Sequence, residues 1–160
     1  MLSVNIICIG KLKESYLRDA ISEYSKRLTA FCKFQITELS EYKISDNPSE
    51  AEINACLEKE GASILAKIPK DSVCIPMCIE GRQLSSPELA KEFENISLSG
   101  KSSVTFIIGG SFGLSDEVKA QGKIKLSMSK MTFPHQLARV MLTEQIYRAF
   151  QINSNGKYHK

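Results

Sequence analysis

"TFIIGGSFGLSDEV", residues 105–118, is the stretch whose reading decides the fold. β-prone, mostly apolar residues run into three glycines and then into Ser115-Asp116-Glu117. Ser115 can cap a helix, and two acids suit that helix's first turn. This is a strand, a tight turn and a helix start, the unit from which α/β sheets are built. It is not a P-loop, because the Gly-Lys-Ser/Thr ending is missing, and the G-x-G-x-x-G dinucleotide spacing also fails. The two acids complement the positive helix end and repel a phosphate there. The turn favours a ligand without phosphate, contacted by backbone. The competing reading is a tight turn whose glycines merely supply positive φ, and this stretch by itself leaves both open.

Outward from the turn, short apolar runs alternate with helical spacing. Strands are predicted at 3–9, 34–39, 73–79 and 103–108, with a last short one near 123–128. Leu17, Ala20, Ile21, Tyr24, Leu28 and Phe31 recur at helical spacing, and residues 50–68 form a second helical stretch. "SSPEL" supplies an N-cap at Ser86 and a proline at the first helical position of a third, ending near Leu98. A short helix follows Ser115, and a long one covers 135–150. Pro76 inside the 73–79 run is out of place in a central strand, since proline cannot donate to a ladder. The order β-α-β-α-β-α-β-α-β-α implies a mostly parallel sheet with helices on both faces. Ligands of such sheets sit beyond the carboxyl ends of the strands, where loops 109–115 and 129–135 stand out.

The second of these loops lies in "SMSKMTFPHQLARVMLTEQIYRAF", residues 127–150. Ser127, Ser129 and Thr132 bring hydroxyls among Met128, Met131 and Phe133. That mix suits a flat, partly apolar ligand such as adenosine, and equally a hydrophobic cover over the sheet end. His135 reads as a capping or packing histidine. The helix beyond it is apolar nearly all round, so it is buried on more than one side. One side would cover the sheet and another would meet a second subunit, with Arg139 and Arg148 at or near that interface.

The 160 residues suit one domain, 1–160, with a sizeable core. No apolar run approaches a membrane span. The first lysines follow the N-terminal apolar run, the reverse of a secretory signal, so a cytoplasmic protein is expected. Cys8, Cys32, Cys56, Cys74 and Cys78 are odd in number, form no C-x-x-C pair and read as free thiols. With only two histidines and no metal-ligand spacing, no metal site is expected. The net charge of +3 hides an asymmetry. Residues 118–160 carry eight Lys/Arg against Glu144 alone, whereas residues 1–117 carry 13 Lys/Arg against 17 Asp/Glu. Such a split points to a polyanion facing the C-terminal part. It does not by itself distinguish RNA from DNA or an anionic lipid surface.

"IIGGSFGLS", "LSMSKMTFPHQLARVMLTEQIYRAF", the closing "YHK" and "GKLKESYLRDAISEYSKRL" near the start resemble the ribosomal large-subunit methyltransferase H family of the SPOUT class. The resemblance covers essentially the whole chain. It implies an α/β sheet with a C-terminal trefoil knot, a feature that the usual rule against knots would not have suggested. It also implies a homodimer, S-adenosylmethionine (SAM) as cofactor, and N3-methylation of a pseudouridine in 23S rRNA of the assembled ribosome. Carried over by motif, the cofactor positions are Met77, Gly109, Met128, Ser129, Lys130, Met131, Thr132 and Phe133. The implied catalytic positions are Arg148, Tyr158 and His159. Two other readings stay beside this one: a non-enzymatic ribosome or RNA-binding protein on the same scaffold, and a small-molecule α/β enzyme of another class.

Overall fold

The structure, a computed structural model, describes residues 1–160. Strands and helices alternate: β1 (Ser3–Ile9), α1 (Ser15–Leu28), β2 (Lys33–Leu39), α2 (Glu50–Leu65), β3 (Val73–Gln83), α3 (Ser86–Leu98), β4 (Ser103–Ile108), α4 (Asp116–Lys119), β5 (Leu126–Ser127) and α5 (His135–Asn153). The sheet is parallel throughout, in the order β2-β1-β4-β3-β5. The expected α/β class is the one the chain adopts.

Side-chain alternation explains why both faces are covered. β1 sends Val4, Ile6 and Cys8 to one face and Ile7 and Ile9 to the other; β4 divides Val104, Phe106 and Ile108 from Ile107 in the same way. A strand buried on both faces needs apolar residues at every position, hence the continuous runs. The larger core joins one face to Leu28 of α1, Phe93 and Ile96 of α3, and Leu142 and Ile146 of α5. The smaller core joins the other face to Ile64 of α2, Leu114 of the turn before α4, and Val118 of α4. α5 packs against both α1 and α3, which accounts for its lack of a single apolar stripe.

Local chemistry moved several boundaries. α2 ends at Leu65, three residues before the predicted end. The N-cap of α3 is Ser85, not Ser86: Ser85 Oγ accepts from Glu88 N at 3.2 Å and Glu88 returns the bond to Ser85 N at 3.1 Å. Ser86 is free to donate to Gln145 Oε1 at 2.6 Å, tying α3 to α5. Pro76 keeps its register with Ile107 of β4 and is tolerated because on the β5 side it falls in a gap, between the Cys74–Gly122 bridge and the Met77–Leu126 pair. β3 runs four residues past its apolar run, and β5 shrinks to two residues, for one shared reason. Leu126 pairs with Met77 and again with Arg82, so residues 78–81 bulge out of the ladder.

The Arg139 side chain is buried within the chain. It is 1 % exposed, donating from Nη1 to Glu38 Oε2 at 2.5 Å and from Nη2 to Gly10 O at 3.1 Å. Its task is to pin the carboxyl ends of β1 and β2 to α5. A carboxylate and a backbone carbonyl of the same chain hold it, so the side chain serves the chain's own packing.

Candidate functional site

The carboxyl ends of β3, β4 and β5 open onto a cleft of about 520 Å³, a size typical of small-molecule sites. Its walls are the β3 bulge, the turn Gly109–Leu114 after β4 and the loop after β5, with His135 and Ala138 of α5 at one end. The two loops singled out by sequence face each other across this one cavity.

The glycine turn closes on itself. A Cβ on Gly109 would lie 2.3 Å from Gly113 O, and Gly113 has φ +81°. Gly113 N donates back to Gly110 O at 3.1 Å. The turn's glycines serve its own closure, and its backbone also lines the cleft. Ser115 caps α4 by accepting from Val118 N at 3.3 Å, ahead of Asp116 and Glu117. A phosphate has no open helix N-terminus to occupy here.

Met77, Gly109, Met128, Ser129, Met131, Thr132 and Phe133 all line the cleft. Lys130 does not; its exposed side chain sits outside the wall. Ser127 Oγ donates to Ser129 O at 3.0 Å, and Ser129 Oγ accepts from Met131 N at 3.1 Å. These two hydroxyls shape the loop, which leaves Thr132 as its exposed hydroxyl. Sequence reasoning missed Ile79, Glu80, Phe112 and Lys119, which also line the cavity. Ile79, Phe112 and Met131 are 60 %, 40 % and 74 % exposed, so exposed large apolar side chains gather at this rim. Ile79 closes an apolar run, a usable signal; the bulge that turns it outward has none.

The tail packs onto α5. Arg148 is held by Glu144 Oε1 through Nε at 2.9 Å and Nη2 at 2.6 Å. Its Nη1 lies 3.1 Å from His159 Nδ1. The guanidinium can only donate, so Nδ1 accepts and the neutral ring carries its hydrogen on Nε2. Tyr158 donates to Glu144 Oε1 at 3.1 Å and lies 4.7 Å beneath the Arg148 guanidinium. Burial, then a hydrogen bond with Tyr24, pushes the Tyr158 phenol up to about 12. Two of the three residues singled out by sequence, Arg148 and Tyr158, thus meet on Glu144, which it did not single out, and His159 joins them through Arg148. The signal was present: Glu144 is the lone acid among eight basic residues in 118–160.

This cluster and the cleft are separated within one chain. The last α5 residue in the cleft wall is Ala138, and ten residues of helix to Arg148 span about 15 Å. Between them runs a second, mostly apolar groove of about 530 Å³, lined by Leu84, Leu89, Met128, Val140 and Met141 and reaching Glu144.

The remaining polar groups are largely spoken for. Arg139, Lys119 and Arg148 pair with Glu38, Glu80 and Glu144, leaving Lys123, Lys125, Lys130, Lys157 and Lys160 as the exposed basic set of the C-terminal part. All five cysteines are free thiols. Burial pushes Cys8 and Cys32 up to about 11. Glu60 is 4 % exposed beside Gly110 and accepts from Tyr42 N at 3.1 Å; burial raises its carboxyl above the usual range.

Over residues 2–159 the sequence matches the family described as "Predicted SPOUT methyltransferase". The chain belongs to the SPOUT methyltransferases. It is 50 % identical to the "Ribosomal RNA large subunit methyltransferase H" of Clostridium novyi (strain NT), over 99 % of this chain and 100 % of that protein. It is 52 % identical to the protein of the same name from Streptococcus thermophilus (strain CNRZ 1066), with the same coverage. A solved structure described as a probable methylase family protein from Haemophilus influenzae Rd KW20 superposes with a TM-score of 0.51 at 15 % identity, covering 98 % of this chain and 70 % of that one. At that identity the likeness concerns the fold. The resemblance to the methyltransferase H family holds over the full length. This SPOUT chain is an enzyme that transfers methyl groups, which sets aside the non-enzymatic and other-enzyme readings. No helix of this methyltransferase is long and apolar enough to cross a membrane.

Proposed function

We propose that residues 1–160 form one cytoplasmic methyltransferase domain acting as a homodimer. It transfers the methyl group of SAM to N3 of pseudouridine 1915 in 23S rRNA of the assembled ribosome. The observation that carries this reading is the cleft. Its lining is apolar and hydroxyl-bearing, and its neighbouring helix start is already capped and acidic. That suits a cofactor with an adenosine, a sulfonium and no phosphate. The relatives' names supply the substrate class.

SAM, when bound, supplies an electrophilic methyl group. Met77, Gly109, Met128, Ser129, Met131, Thr132 and Phe133 are the residues that hold it; Lys130, on the outer side of the same loop, faces the RNA. The protein's contribution is chiefly positioning and exclusion of water. Arg148 holds a phosphate or stabilises negative charge on the base. Tyr158, neutral through the physiological range, stacks on or hydrogen-bonds the base. His159 takes the N3 proton at Nδ1, directly or through water, once RNA has drawn Arg148 away.

Two features support the dimer. The tail cluster lies about 15 Å along α5 from the cleft of its own chain. The apolar groove between them offers a surface on which a second copy brings its tail to this cleft. The trefoil knot belongs to the same reading, and the closeness of the two loops that wall one cleft is in keeping with it. Calorimetric titration with SAM, using ATP as the phosphate-bearing control, tests the cofactor assignment. Saturable SAM binding without ATP binding is expected. ATP binding, or none by SAM, overturns it.

A further inference from the structure

The cleft carries one acid and one strong base. Of all its lining residues, only Glu80 and Lys119 are Asp, Glu, Lys or Arg. They come from different walls, Glu80 from the β3 bulge and Lys119 from the end of α4. Lys119 Nζ donates to Glu80 Oε1 at 2.5 Å, with the side chains 23 % and 57 % exposed respectively. The bulge that presents Glu80 is pinned at Gly81, where a Cβ would lie 2.7 Å from Lys125 O. An exposed pair of this kind adds little to stability, so the fold does not explain its place in an otherwise uncharged cavity.

We propose that Glu80 and Lys119 bind the amino-acid end of the cofactor, Glu80 receiving its α-ammonium and Lys119 its α-carboxylate. The assignment rests on the SAM reading above. A zwitterion laid against the pair in the opposite sense gives each protein charge a second partner of opposite sign. The hydrogen bond to Lys119 holds the Glu80 carboxyl below its usual range, and the same bond raises Lys119. Both therefore stay charged around neutral pH. The apolar rim of Ile79, Phe112 and Met131 remains for the adenosine. A nucleotide would ask for several cations here, and the cleft has a balanced pair instead.

Calorimetry on the full chain tests this, with Glu80→Gln and Lys119→Gln compared with wild type. The ligands are SAM, decarboxylated SAM and 5′-methylthioadenosine, which lacks the amino-acid end. Each substitution is expected to weaken SAM about tenfold or more, roughly the loss of one good charge contact, and to leave 5′-methylthioadenosine unchanged. Decarboxylated SAM should respond to Glu80→Gln and not to Lys119→Gln. Unchanged SAM affinity in both variants overturns the assignment. So does an equal loss for 5′-methylthioadenosine, which marks a merely structural effect. Failure of wild type to bind SAM overturns the cofactor reading and this assignment with it.

Discussion

Arg148 donates to Nδ1 of His159 at 3.1 Å while Glu144 holds the same guanidinium through two nitrogens, at 2.9 and 2.6 Å. The ring's one available lone pair is therefore occupied, and the tail is latched rather than free. Its latch is an exchangeable set of charge-assisted bonds. An RNA phosphate can take over the guanidinium and release the histidine.

Loosening this latch should damage turnover more than folding. Glu144→Gln keeps the shape but removes the charge that orients both Arg148 and Tyr158. A loss of about 10²-fold in kcat is expected, the usual cost of misplacing a reacting group by about 1 Å. The melting temperature should fall only modestly, because the glutamine amide oxygen still accepts from Arg148 and Tyr158. Steady-state methylation beside thermal melting checks this; a large drop in stability with normal kcat contradicts it.

Removing Tyr158–Lys160 should abolish methyl transfer and leave SAM affinity intact, since none of the three lines the cleft. Calorimetry and labelled-methyl transfer on the same preparation decide. Unchanged turnover in the truncated chain refutes a catalytic tail.

Gly109→Ala puts a methyl group 2.3 Å from Gly113 O. The turn must open, at a cost of about 1–3 kcal/mol, and the cleft wall moves with it. SAM affinity should fall at least about tenfold. Gly100→Ala is the control, with open space about its position but a positive φ of +84°; it should cost stability without touching SAM affinity.

Glu60 should reveal itself through pH. Its carboxyl is raised in the folded chain, chiefly by burial, so protonation favours folding. The wild type therefore loses stability as pH rises from the unfolded carboxylate value toward the raised folded value. Glu60→Gln mimics the protonated form. It should be more stable than wild type near neutral pH, with the advantage vanishing toward about pH 4. Thermal melting of both chains across this range checks the sign; an advantage that grows in acid contradicts it.

The sheet was legible because β1 and β4 are buried on both faces and so write continuous apolar runs. α4 was legible through Ser115 and its acids. β5 was legible in place but not in length, because its pairing depends on where the 78–81 bulge rejoins the ladder, and no local pattern records that. For the same reason Glu80 was invisible as a cleft residue. The pairing of Arg139 inside the chain was not legible because its partners, Glu38 and Gly10, are 101 and 129 residues away. The loop residues 128–133 were found by motif, and the structure adds that Lys130 alone among them turns away from the cavity.

The most direct measurement is transfer of labelled methyl from SAM to ribosomes lacking the mark, with naked 23S rRNA in parallel. Label on ribosomes alone, recovered as N3-methylpseudouridine, is the predicted result. Absence of label on both, from a chain that binds SAM, contradicts the substrate assignment.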